Sequence, residues 1–171
     1  MLDIETLGTQ SNSVIISIGA VRFNLETGET GEEFYKNIDI DTCLDMGLKV
    51  SGKTIQWWLS QSGSARDALK KDQGGLHSVL FHLSEFINEK DYVWGNSARF
   101  DLGLLSDAYN KINVNIPWDF RNELDVRTLV YLNPIIKKDI VKENKGVAHN
   151  AIDDCKLQIK YCSKIHKNLY K

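Results

Sequence analysis

The segment 1–6, Met-Leu-Asp-Ile-Glu-Thr, places two carboxylates two residues apart in a short stretch that favours a β-strand. Successive side chains of a strand point to opposite faces, so Asp3 and Glu5 are expected to share one face. Their Cα atoms would lie about 6.5 Å apart, which allows both carboxylates to bind one divalent cation. A solvated strand face is the alternative for this pair taken alone. Acidic residues elsewhere in the chain favour the metal site.

Two further aspartates interrupt apolar helix faces. Asp101 lies on the same predicted helix face as the apolar residues three, four, seven and eleven positions after it. In the last helix, Asp154 shares a face with the apolar residues three, seven and eleven positions after it. A buried carboxylate needs a cation or strong hydrogen-bond donors, so a capping or hydrogen-bonded Asp is the alternative to a metal ligand. Asp153 points about 100° away from Asp154 and is interpreted as an ordinary first-turn acid. Four clustered carboxylates predict at least one raised pKa and two hard divalent ions, Mg²⁺ or Mn²⁺.

A histidine stands close to the last of these acids. His149 lies five residues before Asp154 and follows the segment 145–148, which contains a glycine and is predicted to be a mobile loop. A neutral imidazole near a metal-activated water is a suitable general base. An exposed loop histidine without a role is the alternative.

The composition bounds the class of protein. The chain has 171 residues, 42% hydrophobic and 26% charged, which predicts one soluble domain with a full core. It has no apolar run long enough for a membrane span, and its net charge of -2 argues against coating nucleic acid by positive potential. Cys155 and Cys162 would be about 10.5 Å apart along a helix, too far for a disulfide, so reduced cysteines and a cytoplasmic location are expected.

The pattern of apolar residues, glycines and turn formers predicts an α/β domain with a mixed sheet. The predicted strands are 14–23, 33–40 and 92–95 in addition to the first, with a hairpin turn over 25–31. The predicted helices are 53–61, 65–71, 75–90, one that Ser97 caps and that runs to about residue 111, and 151–170. The segment 124–132 is predicted to be a short strand or turn that leads into a helix.

Three ordered segments resemble a known superfamily. The segments 3–6 (Asp-Ile-Glu-Thr), 96–101 (Asn-Ser-Ala-Arg-Phe-Asp) and 149–154 (His-Asn-Ala-Ile-Asp-Asp) resemble the three exonuclease motifs of the DnaQ-like DEDD superfamily. The His-x-Ala-x-x-Asp form of the third is similar to the histidine (DEDDh) branch, which includes polymerase III proofreading subunits, RNase T and oligoribonuclease. The segment 54–61 (Thr-Ile-Gln-Trp-Trp-Leu-Ser-Gln) resembles the Thr-Ile-x-Trp-Trp segment of phage exonuclease A and related bacterial exoribonucleases. The segment 124–129 also looks like an Asp-x-x-Thr-Leu element of the family, with helix capping by Asp125 as the alternative.

The resemblance implies a fold and a reaction. It implies a ribonuclease H-like mixed β-sheet flanked by α-helices, one 3′-5′ exonuclease domain over residues 1–171, and release of 5′-mononucleotides from RNA or DNA with two Mg²⁺ or Mn²⁺ ions. Asp3, Glu5 and Asp154 would bind the metal that activates water. Asp3 would also bridge to the second metal, supported by Asp101, and His149 would accept the proton from water.

The resemblance and the helical spacing also suggest substrate contacts. Thr6 and Leu7 would contact the terminal nucleotide by backbone and apolar edge. Asn96 and Phe100 would position that nucleotide or brace the neighbouring aspartate. Trp57 is expected to stack on a nucleobase, with packing under a loop or at a subunit interface as the alternative.

Several alternatives remain open from the sequence. Ile55 shares a helix face with Trp58, which is therefore the expected core tryptophan of the pair. Members of the superfamily normally have several apolar residues before the first aspartate, whereas only Met1 and Leu2 precede it here. A shortened chain or an upstream start is therefore expected, with weakened strand pairing at Asp3. A non-catalytic nucleic-acid-binding module and a Mg²⁺-dependent nucleotidase or phosphatase are the competing functions. RNA is narrowly favoured over DNA as the partner, no membrane partner is expected, and a homodimer is possible.

Overall fold

The computed structural model describes residues 1–143 and 149–170. The strands are β1 Leu2–Thr6, β2 Ile15–Phe23, β3 Thr30–Ile38, β4 Gln73–Gly74, β5 Val93–Gly95 and β6 Glu123–Asp125. The helices are α1 Ile40–Asp45, α2 Gly52–Leu59, α3 Gly63–Ala68, α4 Leu76–Phe86, α5 Ala98–Lys111, α6 Val126–Leu132, α7 Pro134–Glu143 and α8 Ala151–Leu169. The predicted mobile loop over 145–148 lies outside the described residues.

The strands form one mixed sheet in the order β4-β3-β2-β1-β5-β6. The hairpin strands β2 and β3 and the strand β1 are antiparallel neighbours, whereas β5 and β6 continue the sheet in parallel with β1. Helix α8 packs on β1, β2 and β3, while α5 contacts β1, β5 and β6 and α4 contacts β3. This arrangement is the predicted α/β class with a mixed sheet flanked by helices.

The first strand is fully paired, which corrects the expectation of weakened pairing near Asp3. Asp3 lies opposite Gly19 and Glu5 opposite Ser17 in the antiparallel pair with β2. Leu2 also pairs with Gly95 of β5, so β1 is held from both sides. The two carboxylates therefore share one face of a central strand, as their spacing predicts.

Helix α8 approaches the sheet closely because of one glycine. A Cβ atom added at Gly19 would lie 2.6 Å from the carbonyl carbon of Ala151, which is too close for any side chain. Gly19 is the strand partner of Asp3, so the first turn of α8 lies directly beside the acidic face of β1. The fold thus brings residues from the two ends of the chain to one place.

The predicted helix over 75–90 is observed as α4, and it ends four residues early. Five apolar residues of this segment at helical spacing are buried: Leu76, Val79, Leu80, Leu83 and Ile87. The backbone of Ile87 is extended, and the carboxylate of Asp91 accepts a hydrogen bond from the Asn88 amide. This local side-chain bond stabilises a turn that competes with the last helical turn.

Other predicted boundaries also shift. The strand predicted over 33–40 is Thr30–Ile38, because Asp39 accepts a hydrogen bond from the Asp41 amide and caps α1. The segment predicted over 124–132 is β6 followed by α6. Helix α1, helix α7 and the two-residue strand β4 were not predicted, since their short or polar sequences carry little periodicity.

The cysteine prediction is confirmed at all three positions. Cys43, Cys155 and Cys162 are buried free thiols.

In the parts of the chain that the structure describes, no helix combines the length and apolar character needed to cross a membrane.

Candidate active site

The carboxyl end of β1 and the start of α8 bring an acid pair and a histidine together. Ligand atoms of Glu5, His149 and Asp154 all lie within 4.8 Å of one another. Asp3 is buried two residues before Glu5 on the same strand face, and it interacts electrostatically with Asp101, Glu5 and Asp154. Three of the five predicted catalytic residues therefore meet within ligand distance, and Asp3 and Asp101 lie within electrostatic range of Glu5. The oxygen-rich donor set fits hard divalent cations, because carboxylates are the ligands that Mg²⁺ and Mn²⁺ prefer.

Burial raises the pKa of all four acids, and the charges of neighbouring carboxylates add to the rise for Asp3 and Glu5. Burial is the larger cause for Glu5, and with the charges of Asp154 and Asp101 it raises the pKa of Glu5 to about 8. Burial followed by the charges of its three neighbours raises the pKa of Asp3 well above its usual range. Burial raises the pKa of Asp101 to about 7 and also raises the pKa of Asp154, although nearby His149 opposes the second shift. The predicted repulsion among the carboxylates is thus present in the folded chain.

Asp101 reaches the site from the first turn of α5. Its side chain is 3% exposed, and one carboxylate oxygen, Oδ2, accepts a hydrogen bond from the Ser97 amide at 3.2 Å. A Cβ atom added at Gly95 would lie 3.2 Å from the same oxygen, so a glycine at the end of β5 makes room for the carboxylate. The positive charge of Arg127 offsets part of the rise in the pKa of Asp101.

The N-terminus of α5 is capped by a residue of strand β6. Ser97 is the N-cap residue, as predicted, but its side chain makes no capping bond. Instead, Asp125 accepts a hydrogen bond from the Ala98 amide at 2.8 Å through Oδ2 and from the Thr128 amide at 2.7 Å through Oδ1. Asp125 therefore caps α6, the alternative considered for it, and also ties the start of α5 to β6.

His149 is held in a defined position beside the acids. Its backbone is left-handed, with φ of 64°, and its amide donates to Oδ2 of Asp154 at 3.1 Å. Two indole rings lie nearly perpendicular to its imidazole, with centroid separations of 4.8 Å for Trp57 and 6.3 Å for Trp58. These contacts place the imidazole at the site and make it half-buried, not an exposed loop side chain.

The two tryptophans of α2 have different environments, as predicted. Trp58 is buried, and its indole N–H donates to the carbonyl of Thr6 at 2.9 Å, whereas Trp57 is 42% exposed. Ile55 is 37% exposed, so the expected sharing of a buried face by Ile55 and Trp58 is wrong. The buried position of Trp58 depends on its contact with the end of β1.

The residues that follow β1 have little free backbone. Leu7 donates its amide hydrogen to Val14 at 2.8 Å and accepts from the Ser51 amide at 2.7 Å. The carbonyl of Thr6 accepts the indole bond, and its hydroxyl donates to the carbonyl of Gly8 at 2.6 Å. Both polar backbone groups of Leu7 are therefore bonded within the protein, and its contact with a nucleotide stays a prediction.

Asn96 and Phe100 flank the start of α5. The carbonyl of Asn96 accepts a hydrogen bond from Arg127 at 3.0 Å, and its side-chain Oδ1 is buried with no partner among the described residues. Phe100 is half-buried and packs against the core. Both residues lie next to Asp101, which is the bracing position considered for them.

One buried polar residue at the site was missed. Gln158 lies one helical turn after Asp154 on α8, and its side-chain amide donates to Oδ1 of Asp3 at 2.8 Å. Its position four residues after a metal-ligand candidate, within the otherwise apolar face, was the available signal.

Comparisons with known proteins agree with this geometry. No curated protein sequence matches the chain. The crystal structure of a full-length 3′-exonuclease superposes with a TM-score of 0.54 at 14% identity, covering 98% of this chain and 80% of that one, which confirms the ribonuclease H-like fold. Residues 1–166 match the sequence model of the Rv2179c-like 3′-5′ exoribonuclease domain, in agreement with the predicted DnaQ-like superfamily. The chain therefore belongs to the Rv2179c-like 3′-5′ exoribonuclease domain family.

Proposed function

We propose that residues 1–171 form a single metal-dependent 3′-5′ exonuclease domain of the histidine branch, which releases 5′-mononucleotides from the 3′ end of a nucleic acid. The observation that carries this proposal is the convergence of Glu5, His149 and Asp154 within 4.8 Å, beside Asp3 and Asp101. An enzyme needs such a cluster to hold divalent cations, whereas a passive fold gains nothing from buried acids that repel each other.

The chain's own residues have separable roles in this reaction. Asp3, Glu5, Asp101 and Asp154 would hold two Mg²⁺ or Mn²⁺ ions, which supply Lewis-acid activation of water and neutralise charge on the scissile phosphate. His149 would accept the proton of the attacking water, because its imidazole stands next to Glu5 and Asp154 without being part of the core.

The proposed substrate contacts lie at the end of β1 and at the start of α5. The apolar edge of Leu7 and the adjacent Thr6 would support the terminal nucleotide, while Asn96 and Phe100 would position it from the start of α5. RNA is the favoured substrate, in keeping with the family's description.

The buried free thiols support a cytoplasmic location, because reduced cysteines are typical there. A homodimer stays a prediction, to be tested by sedimentation.

The central prediction concerns polarity and metal dependence. With Mn²⁺ or Mg²⁺, a 5′-labelled single-stranded RNA should give a ladder that shortens from the 3′ end, and EDTA should stop the reaction. Matched DNA run in parallel measures the sugar preference, and a 3′-overhang duplex measures the strand preference. Equal rates on a free 3′-hydroxyl and a 3′-phosphate end would contradict the assignment.

The same assay separates the competing functions. A Mg²⁺-dependent phosphatase or nucleotidase would release inorganic phosphate and leave the strand length unchanged. A non-catalytic binding module would retain the labelled RNA in a filter-binding experiment without shortening it at any metal concentration.

Trp57 is predicted to contribute to substrate binding. Trp57 is 42% exposed, so a base could stack on its indole, an interaction worth about 1–3 kcal/mol. Trp57→Leu should therefore raise KM about 5- to 150-fold, with little change in melting temperature. Trp57→Phe is the matched variant and should keep part of the affinity. A fall in kcat at unchanged KM would show that Trp57 acts through its contact with His149 instead.

A further inference from the structure

A glutamine that no motif includes is built into the acidic cluster. Gln158 is 3% exposed and lies on the same face of α8 as Asp154, one turn further from the helix start. Its side-chain Nε2 donates to Oδ1 of Asp3 at 2.8 Å. The two residues are 155 positions apart in sequence, so this bond connects the central strand directly to the last helix.

The orientation of this amide is determined by Asp3. The other amide atom, Oε1 of Gln158, is buried and has no hydrogen-bond partner among the described residues. A flipped amide would direct Oε1 at the Asp3 carboxylate, so that two acceptors would face each other. A buried acceptor without a partner is costly, so packing alone does not explain a glutamine at this position.

We propose that Gln158 is a positioning residue for Asp3, an inference that rests on the proposed metal-dependent function. The bond to Oδ1 fixes the rotation of the carboxylate and leaves Oδ2 as the oxygen that would bind the metal. Residues that orient a metal ligand in this way typically contribute 10- to 100-fold to metal affinity or activity. Gln158 itself contacts neither the substrate nor the reacting atoms in this proposal.

The test uses a variant that keeps the shape and removes the donor. Gln158→Met retains an unbranched side chain of similar length, and we expect it to weaken Mn²⁺ binding measured by calorimetry about 10- to 100-fold. The half-maximal Mn²⁺ concentration for RNA hydrolysis should rise by a similar factor, while KM for RNA at saturating Mn²⁺ stays unchanged. Ser163→Ala is the control, because Ser163 is also buried on α8 but faces the hairpin turn at Gly28.

A second comparison tests whether Gln158 acts through Asp3. In an Asp3→Asn background, Gln158→Met should cause no further loss of Mn²⁺ affinity, since neighbours that act together are not additive. Gln158→Leu replaces the Met variant if that protein does not fold. Wild-type Mn²⁺ affinity in a folded Gln158 variant would overturn the proposal, whatever its melting temperature. Calorimetry requires no nucleic acid, so failure of the exonuclease assignment would be seen separately in the wild-type digestion.

Discussion

His149→Ala is expected to slow RNA hydrolysis about 10²- to 10⁴-fold, the usual cost of losing a general base. A ring nitrogen of the imidazole lies within 4.8 Å of ligand atoms of Glu5 and Asp154. The indole rings of Trp57 and Trp58 pack nearly perpendicular to the imidazole. The substitution removes the imidazole and keeps the backbone amide that donates to Asp154. Metal binding should therefore persist while the chemical step is lost.

Asp154 should behave differently. Asp154→Asn keeps an acceptor for the His149 amide but loses the negative charge that would hold the metal. We expect no measurable hydrolysis, together with a marked reduction of the Mn²⁺-induced rise in melting temperature. Single-turnover hydrolysis and thermal melts with EDTA or Mn²⁺ separate the two residues.

Two controls make this comparison specific. His149→Asn tolerates the left-handed backbone at this position better than Ala, so it distinguishes loss of the base from backbone strain. Asp153→Asn makes the same chemical change one residue before Asp154 and should have little effect. Loss of Mn²⁺ binding in both His149 variants would show that His149 is a metal ligand, and an essential Asp153 with a dispensable Asp154 would reverse the assignment of the helix face.

The parts of the site that could be predicted are those with a local pattern. Alternation along β1 places Asp3 and Glu5 on one face, and helical spacing places Asp101 among the buried residues of α5. These periodicities depend only on the local backbone geometry of a strand or a helix, so they can be predicted without knowing the rest of the fold. The order of the three family motifs then predicts that segments far apart in sequence form one site.

The parts that could not be predicted depend on contacts between distant segments. The bond from Gln158 to Asp3 and the cap from Asp125 to Ala98 join residues 155 and 27 positions apart. Neither produces a periodic signal, because a single buried amide or carboxylate looks the same in sequence as an exposed one. The early end of α4 has the same origin on a local scale, since the Asp91 side chain competes with the helix for a backbone amide.

The buried acids also predict how stability depends on pH when metal is absent. Burial and neighbouring charges raise the pKa of Glu5 from 4.5 to about 8, and burial raises that of Asp101 from 3.8 to about 7. Between about pH 4 and 8 the folded protein therefore binds more protons than the unfolded chain, so its free energy of unfolding falls as pH rises. The metal-free melting temperature should be higher near pH 5 than near pH 8. Mn²⁺ should raise it more at pH 8, because metal and protons compete for the same oxygens.

Asp101→Asn isolates one of these acids. At pH 8 the substitution removes a buried charge while leaving an oxygen to accept the Ser97 amide, so the metal-free protein should melt at a higher temperature than wild type. At pH 5 the wild-type carboxyl is largely protonated, and the difference should almost disappear. A change of 1 kcal/mol shifts the melting temperature of a protein of this size by about 2–4 °C, which a thermal melt detects.

The variant should also lose activity and show a smaller Mn²⁺-induced shift at pH 8, since one of the four carboxylates that we propose as metal ligands is gone. A structural Asp that is stabilised by its backbone hydrogen bonds predicts the opposite: Asp101→Asn would lower the metal-free melting temperature at pH 8 and leave hydrolysis nearly unchanged. The sign of the metal-free shift at pH 8 therefore decides whether the charge on Asp101 is retained for metal binding at the expense of stability.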